Sequence, residues 1–136
     1  MSATKSTTYV EGIGRRKTAS ARVRLTPATT TSIVVNDKPL NDYFQNLSQQ
    51  QDLQSVLETK DAGIEHYTIT AKVAGGGISS QAEAIRLGIA RALVKEKADR
   101  RSQLKAGGFL KRDPRSVERK KFGLRKARKR PAWSKR

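Results

Sequence analysis

The last eighteen residues constrain this chain most. Between Arg119 and Arg136 ten side chains are Lys or Arg and none is Asp or Glu. Phe122, Leu124 and Trp133 are the only large apolar residues there, too few to offset the entropy of ordering a backbone. The segment is expected to be an extended arm that orders on a polyanion. The imbalance is concentrated: residues 111–136 hold 13 basic and 2 acidic side chains, whereas residues 1–110 hold 16 and 10, within a net charge of +17. With 136 residues, 35% of them hydrophobic, the chain can bury one modest core. The expected division is a flexible N-terminus (1–8), a globular α/β body (9–106) and a basic C-terminal arm (107–136).

The same composition excludes several chemistries. There is no cysteine, and His66 is the one histidine, so thiolate sites, cysteine nucleophiles and the usual zinc ligand sets are absent. The twelve carboxylates form no H-E-x-x-H motif, EF-hand loop or tight magnesium cluster. A lone histidine on the polar face of a strand carries no assigned chemistry. No apolar run approaches a membrane span, and MSATKSTT lacks a signal-peptide core. The expectation is a soluble cytosolic protein with no cofactor, membrane partner or small-molecule substrate.

Periodicity supplies the body's elements. Two extended stretches flank a turn at Gly14-Arg15-Arg16-Lys17, and in the second Ala21, Val23 and Leu25 alternate with Arg22, Arg24 and Thr26, a half-buried strand. Ile33-Val34-Val35 before Asn36-Asp37 predicts a third strand, with the first three strands arranged as a meander. Apolar spacing from Leu40 predicts a helix near 50–59, stopped by Gly63. Tyr67, Ile69, Ala71 and Val73 predict a fourth strand ending at Gly75-Gly76-Gly77. Ser80 with Glu83 reads as a capping box opening a helix from about 80 to 97, with Ala82, Ile85, Ile89, Ala92 and Leu93 inward and Arg86, Lys95 and Glu96 outward. Gly88 implies a close backbone neighbour. A short helix over 99–106, and another opened by Asp113-Pro114 and closed by Gly123, complete the prediction. The order βββ-α-β-α predicts an α+β fold: a four-stranded sheet covered on one face by two helices, with the other face left for partners.

Two glycine clusters invite a phosphate reading. Gly12 to Thr18 lacks both the spacing of a nucleotide loop and a following helix. Arg15, Arg16 and Lys17 on a glycine-freed turn instead suit RNA phosphates, with Arg22 and Arg24 extending the patch. Gly75 to Ser80 lies between a strand and a helix N-terminus, where an anion is favoured. It resembles the serine-containing glycine loop of galactokinase- and homoserine-kinase-type enzymes, though no catalytic acid or substrate lobe accompanies it. In the arm, Lys111, Arg112, Arg115, Arg119, Lys120, Lys121, Arg125, Lys126, Arg128, Lys129 and Arg130 supply phosphate neutralisation. Phe122 and Trp133 supply planes for stacking on unpaired bases, a combination suited to folded RNA rather than duplex DNA.

Taken in order, these residues resemble the bacterial form of the family of the ninth protein of the small ribosomal subunit. Gly75-Gly76-Gly77, Ser80-Gln81, Ala84, Gly88 and Ala90-Arg91-Ala92-Leu93 fall on that family's pattern. So do Gly12 to Lys17 with Ala21-Arg22-Val23, Val35-Asn36 to Tyr43-Phe44, and Arg112-Asp113 to the Ser134-Lys135-Arg136 terminus. The resemblance covers residues 9–136. It departs at Ala132, where glutamine is usual, at Trp133, where phenylalanine or tyrosine is usual, and at Lys97, where an acid is common. The resemblance implies the fold of the second domain of the fifth small-subunit protein, with a mixed sheet and a left-handed βαβ crossover, a hand opposite to the general rule. It implies a non-enzymatic seat in the head of the small subunit, on small-subunit (16S) ribosomal RNA and beside other head proteins. It also implies that Ser134, Lys135 and Arg136 contact the anticodon stem-loop of P-site tRNA. The alternatives are a generic RNA-processing cofactor, such as the protein subunit of an RNA-cleaving ribozyme, and a kinase-like phosphate-binding protein.

Overall fold

The computed structural model describes residues 8–60 and 63–135, so most of the expected N-terminal segment lies outside the described residues. Strand β1 (Val10–Arg16) pairs antiparallel with β2 (Ala19–Pro27), in register from Arg16↔Ala19 to Val10↔Leu25. The turn is only Lys17-Thr18, with Lys17 at φ 52°, so Gly14, Arg15 and Arg16 belong to the strand and not to the predicted turn. The glycines serve packing instead. A Cβ on Gly14 would lie 1.8 Å from the carbonyl oxygen of Ala84, and one on Gly12 2.3 Å from that of Gly88. Gly88 in turn packs against Val23 and the Gly14 backbone, the close approach its place in a helix predicts.

Strand β3 (Ser32–Val35) turns through Asn36-Asp37, both at positive φ (48° and 66°), into the two-residue β4 (Lys38–Pro39). Such a turn matches the twist of a hairpin. Among the described residues the sheet therefore has five strands where the sequence predicted four. Nor do the first three form a meander, because β5 (Tyr67–Ala74) inserts between β2 and β3 in the order β1-β2-β5-β3-β4. It pairs antiparallel with β2 and parallel with β3. Its inward residues Tyr67, Ile69, Ala71 and Val73 are buried, which suits a strand hydrogen-bonded along both edges. A parallel neighbour requires a crossover, and α1 (Leu40–Tyr43) with α2 (Leu47–Leu57) lies on it. Helix α2 starts earlier than predicted because Asn46 caps it, its side-chain oxygen accepting the Ser48 N–H at 2.9 Å.

Helix α3 (Ile78–Glu96) lies across β1 and β2 beside α2. Ala82, Ile85, Ile89, Ala92 and Leu93 are buried as their spacing predicts. The capping box does not form. Gly77 is the N-cap, Ser80 sits inside the first turn, and the Glu83 carboxylate accepts from Arg16 at 2.5 Å. Glu96 also departs from its predicted solvent position. It accepts from the Tyr67 hydroxyl at 2.5 Å and from Arg100 at 3.0 Å. Arg100, 2% exposed, also donates to the Gly63 carbonyl at 3.1 Å, so a buried cation ties the end of α3 to the sheet. Burial raises the Tyr67 hydroxyl pKa, and the hydrogen bond to Glu96 adds to it. A 3-10 turn (Ala98–Arg100) leads into α4 (Arg101–Ala106). The helix predicted from Asp113 to Gly123 is absent. Asp113 does accept the Arg115 N–H at 3.0 Å, as a cap would. No apolar stripe follows to hold a helix, since Val117 and Phe122 are 86% and 97% exposed.

Candidate nucleic-acid interface

Strand alternation sorts the body's cations. With Ala21, Val23 and Leu25 directed into the core, Arg22 and Arg24 lie on the open sheet face with Arg15 of β1 and Lys72 of β5, which pairs with Arg22. Glu11 is the acid among them, accepting from Arg24 at 3.2 Å and lying 3.3 Å from Arg22. The Arg24 guanidinium stacks 4.5 Å over the Tyr9 ring. Lys72 was not singled out from the sequence. Its signal was the parity it shares with Thr68 and Thr70, but the neighbour that makes it part of a patch lies fifty residues away in the chain.

At the hairpin end the arm root returns to the body. Arg16, expected to face phosphate, is instead turned inward and 8% exposed. It pairs with Glu83 at 2.5 Å and with Asp113 at 3.3 Å, and donates to the Arg115 carbonyl at 2.7 Å. Arginine's planar fork suits this multiple engagement, and it fixes where the arm leaves the body. Around it Arg15, Lys17, Lys111, Arg112 and Arg115 remain exposed. Hydrogen bonds from the Arg115 side chain and backbone N–H hold the Asp113 carboxyl well below the usual carboxylate range. On α4, Arg101 and Lys105 line a groove with Leu110 and Lys111. In sequence the two cations stand four residues apart on one short helix, a spacing indistinguishable from an ordinary solvated face.

Beyond Asp113 the backbone of the described residues has no regular element. Glu118 pairs with Lys121 and, at 3.0 Å, with Arg128, and the Arg125 N–H donates to the Lys129 carbonyl at 2.7 Å. Arg119, Lys120, Arg125, Lys126, Lys129 and Arg130 present exposed side chains, as do Ser134 and Lys135. Trp133, 86% exposed, offers an uncovered ring. Arg136 lies outside the described residues.

The glycine loop joins this surface from the other side of the hairpin. Gly75 and Gly76 have φ of 78° and 65° and pack on Thr18 and Ala19. Asn36 and Tyr43, distant in sequence, hold it together with the nearby Gln81. The Asn36 side chain donates to the Val73 carbonyl at 3.0 Å and to the Tyr43 hydroxyl at 3.3 Å. Tyr43 donates to Gln81 at 2.6 Å, and Gln81 to the Gly75 carbonyl at 3.0 Å. Patterned positions in two separate stretches thus meet in one network. His66 shares a 3.0 Å hydrogen bond with Thr31. Among the described residues no His, Asp and Glu cluster could hold a metal ion, and no helix is long and apolar enough to cross a membrane. This arrangement can neutralise phosphates, donate hydrogen bonds and stack on bases.

The chain matches the family described as ribosomal protein S9/S16 over residues 14–136. It is 53% identical over 127 residues to the small ribosomal subunit protein uS9 of Synechococcus sp. (strain JA-2-3B'a(2-13)), covering 92% of this chain and 91% of that protein. It is 50% identical over 127 residues to the uS9 of Mycobacterium tuberculosis (strain ATCC 25618 / H37Rv), covering 93% and 83%. Every feature from the glycine loop to the cationic arm falls inside the matched span, and the chain belongs to the ribosomal protein S9/S16 family.

Proposed function

We infer that this protein is a structural constituent of the head of the small ribosomal subunit, a cytoplasmic component of the ribosome that performs no catalysis. It binds small-subunit rRNA through Arg15, Lys17, Arg22 and Arg24 on the body. Lys111, Arg112, Arg115 and the cations from Arg119 to Arg130 extend that contact along the arm, whose tip (Ser134, Lys135, Arg136) reaches the anticodon stem-loop of P-site tRNA. Arg16 holds the arm root and is not counted among the phosphate contacts. The observation that carries the reading is a terminal stretch, Arg119 to Arg136, of ten cations and no acid on a chain of the S9/S16 family. Neutralising packed phosphates is the work such a segment is chemically suited to, and it orders as it binds. The parallel β3–β5 pair joined through α1 and α2 is compatible with the second-domain fold of the fifth small-subunit protein and its left-handed crossover. Sedimentation of a lysate through sucrose at moderate and high salt tests the reading. Co-migration with small subunits that survives the salt wash is expected, and recovery of the chain at the top of the gradient would overturn it.

A further inference from the structure

The N-terminal turn of α3 faces a cleft whose walls come from four parts of the chain. Lys17 and Thr18 of the hairpin turn, Gly76 and Gly77 of the glycine loop, Ile78 to Ser80 of the helix, and Ser116 and Val117 of the arm root line it. The first hydrogen bond of the helix runs from Gln81 N–H to the Gly77 carbonyl at 2.9 Å. The N–H groups of Ile78, Ser79 and Ser80 precede it and have no partner among the described residues. They stand where the helix dipole is positive. A separate observation points to a ligand. Ser80 is only 7% exposed, yet its hydroxyl forms no hydrogen bond among the described residues and is not sealed from solvent. Ser80 is one of the residues that line the cleft. The Ser79 hydroxyl accepts from Gln49 at 3.1 Å, which leaves its hydrogen to donate elsewhere. The exposed Lys17 ammonium adds the matching charge, and the network through Asn36, Tyr43 and Gln81 holds the glycine loop in place.

We propose that this cleft is a built site for one phosphodiester group of the RNA backbone. The phosphate oxygens accept from the N–H groups at the start of α3 and from the Ser80 hydroxyl, and Lys17 balances the charge. Ser116 and Val117 close the other wall, so an occupied site clamps the arm root against the body. The proposal rests on the RNA-binding reading and refines it. It also gives the glycine loop the anion-binding role that its likeness to kinase loops suggests, with polymer phosphate in place of nucleotide.

Full-length wild type, Ser80→Ala and Lys17→Asn test it by binding to purified small-subunit rRNA across a salt series, with amide hydrogen exchange on the complexes. Asparagine tolerates the positive φ of position 17, and the position is an exposed turn, so this variant keeps the body folded even where Ser80→Ala loosens it. Each substitution is expected to weaken binding about three- to tenfold. Lys17→Asn should also lower the slope of log affinity against log salt by about 1, whereas Ser80→Ala, which removes no charge, leaves the slope unchanged. The amides of Ile78 to Ser80 should exchange more slowly in the wild-type complex. Wild-type affinity and slope in both variants would overturn the site while leaving the RNA reading intact. Failure of wild type itself to bind the rRNA would remove the RNA reading instead. In a parallel arm the free protein is titrated with inorganic phosphate and with ATP. Saturation by either at micromolar concentration, with unaltered RNA affinity in the variants, would assign the cleft to a free phosphate and reject the proposal.

Discussion

Gly14 shows how one missing side chain fixes the layering of the body. Helix α3 passes so close to β1 that any Cβ at this position would overlap the Ala84 carbonyl, a backbone atom that cannot rotate aside. Gly14→Ala is therefore expected to destabilise the body by about 3 kcal/mol, the upper range for overpacking, and to lower Tm by roughly 15 °C. A melting curve within two or three degrees of wild type would contradict this contact. Asp113 gives a second prediction at the same scale. Arg115 lowers its pKa below the ordinary 3.8, so the pair's contribution is fully present above that value and is lost only as pH falls towards the lowered one. A carboxyl-detected NMR titration should find Asp113 still ionised near pH 3, where an unpaired aspartate is mostly protonated. In Arg115→Ala the midpoint should return towards 3.8; a wild-type carboxyl already titrating at the ordinary value would refute the pairing.

Between residue and molecule, the arm and the helices differ in what holds them. Helix α3 is legible in the sequence because seven of its side chains are buried in one core, and burial imposes a period that can be counted. The arm has no such stripe. The Asp113-Pro114 signal misled for that reason, since a cap closes the ends of a helix but cannot supply the burial that stabilises it. The capping box at Ser80 failed differently: Glu83 had a stronger partner in Arg16, sixty-seven residues away, and local motifs lose to a charge that tertiary structure brings close. Removing residues 119–136 should leave the body's melting temperature nearly unchanged, because its core lies wholly within residues 19–104. The same deletion should weaken rRNA binding steeply and flatten its salt dependence. A salt slope equal to that of the full chain would show that the arm's cations do not displace counterions from RNA.

At the scale of the whole molecule, Arg16 of the β1–β2 hairpin holds the chain at Asp113 and Arg115, and the C-terminal cations lie far along the chain from that point. Removing only Lys135 and Arg136 should leave assembly into small subunits intact while weakening P-site tRNA binding several-fold, since two charge-assisted contacts are lost; equal tRNA affinity would reject the tip's assigned role. The sequence by itself determined the class of partner and the inward faces of β2, β5 and α3. Those properties follow from charge and from periods of two and 3.6, which are local. Only the tertiary structure decided that β5 lies between β2 and β3, that Arg16 faces inward to Glu83 and Asp113, and that Lys72 stands beside Arg22. It also decided that Asn36, Tyr43 and Gln81 brace the glycine loop. Each depends on which distant segments share an edge or a cleft, and that choice is made by burying one common core rather than by any stretch of chain alone.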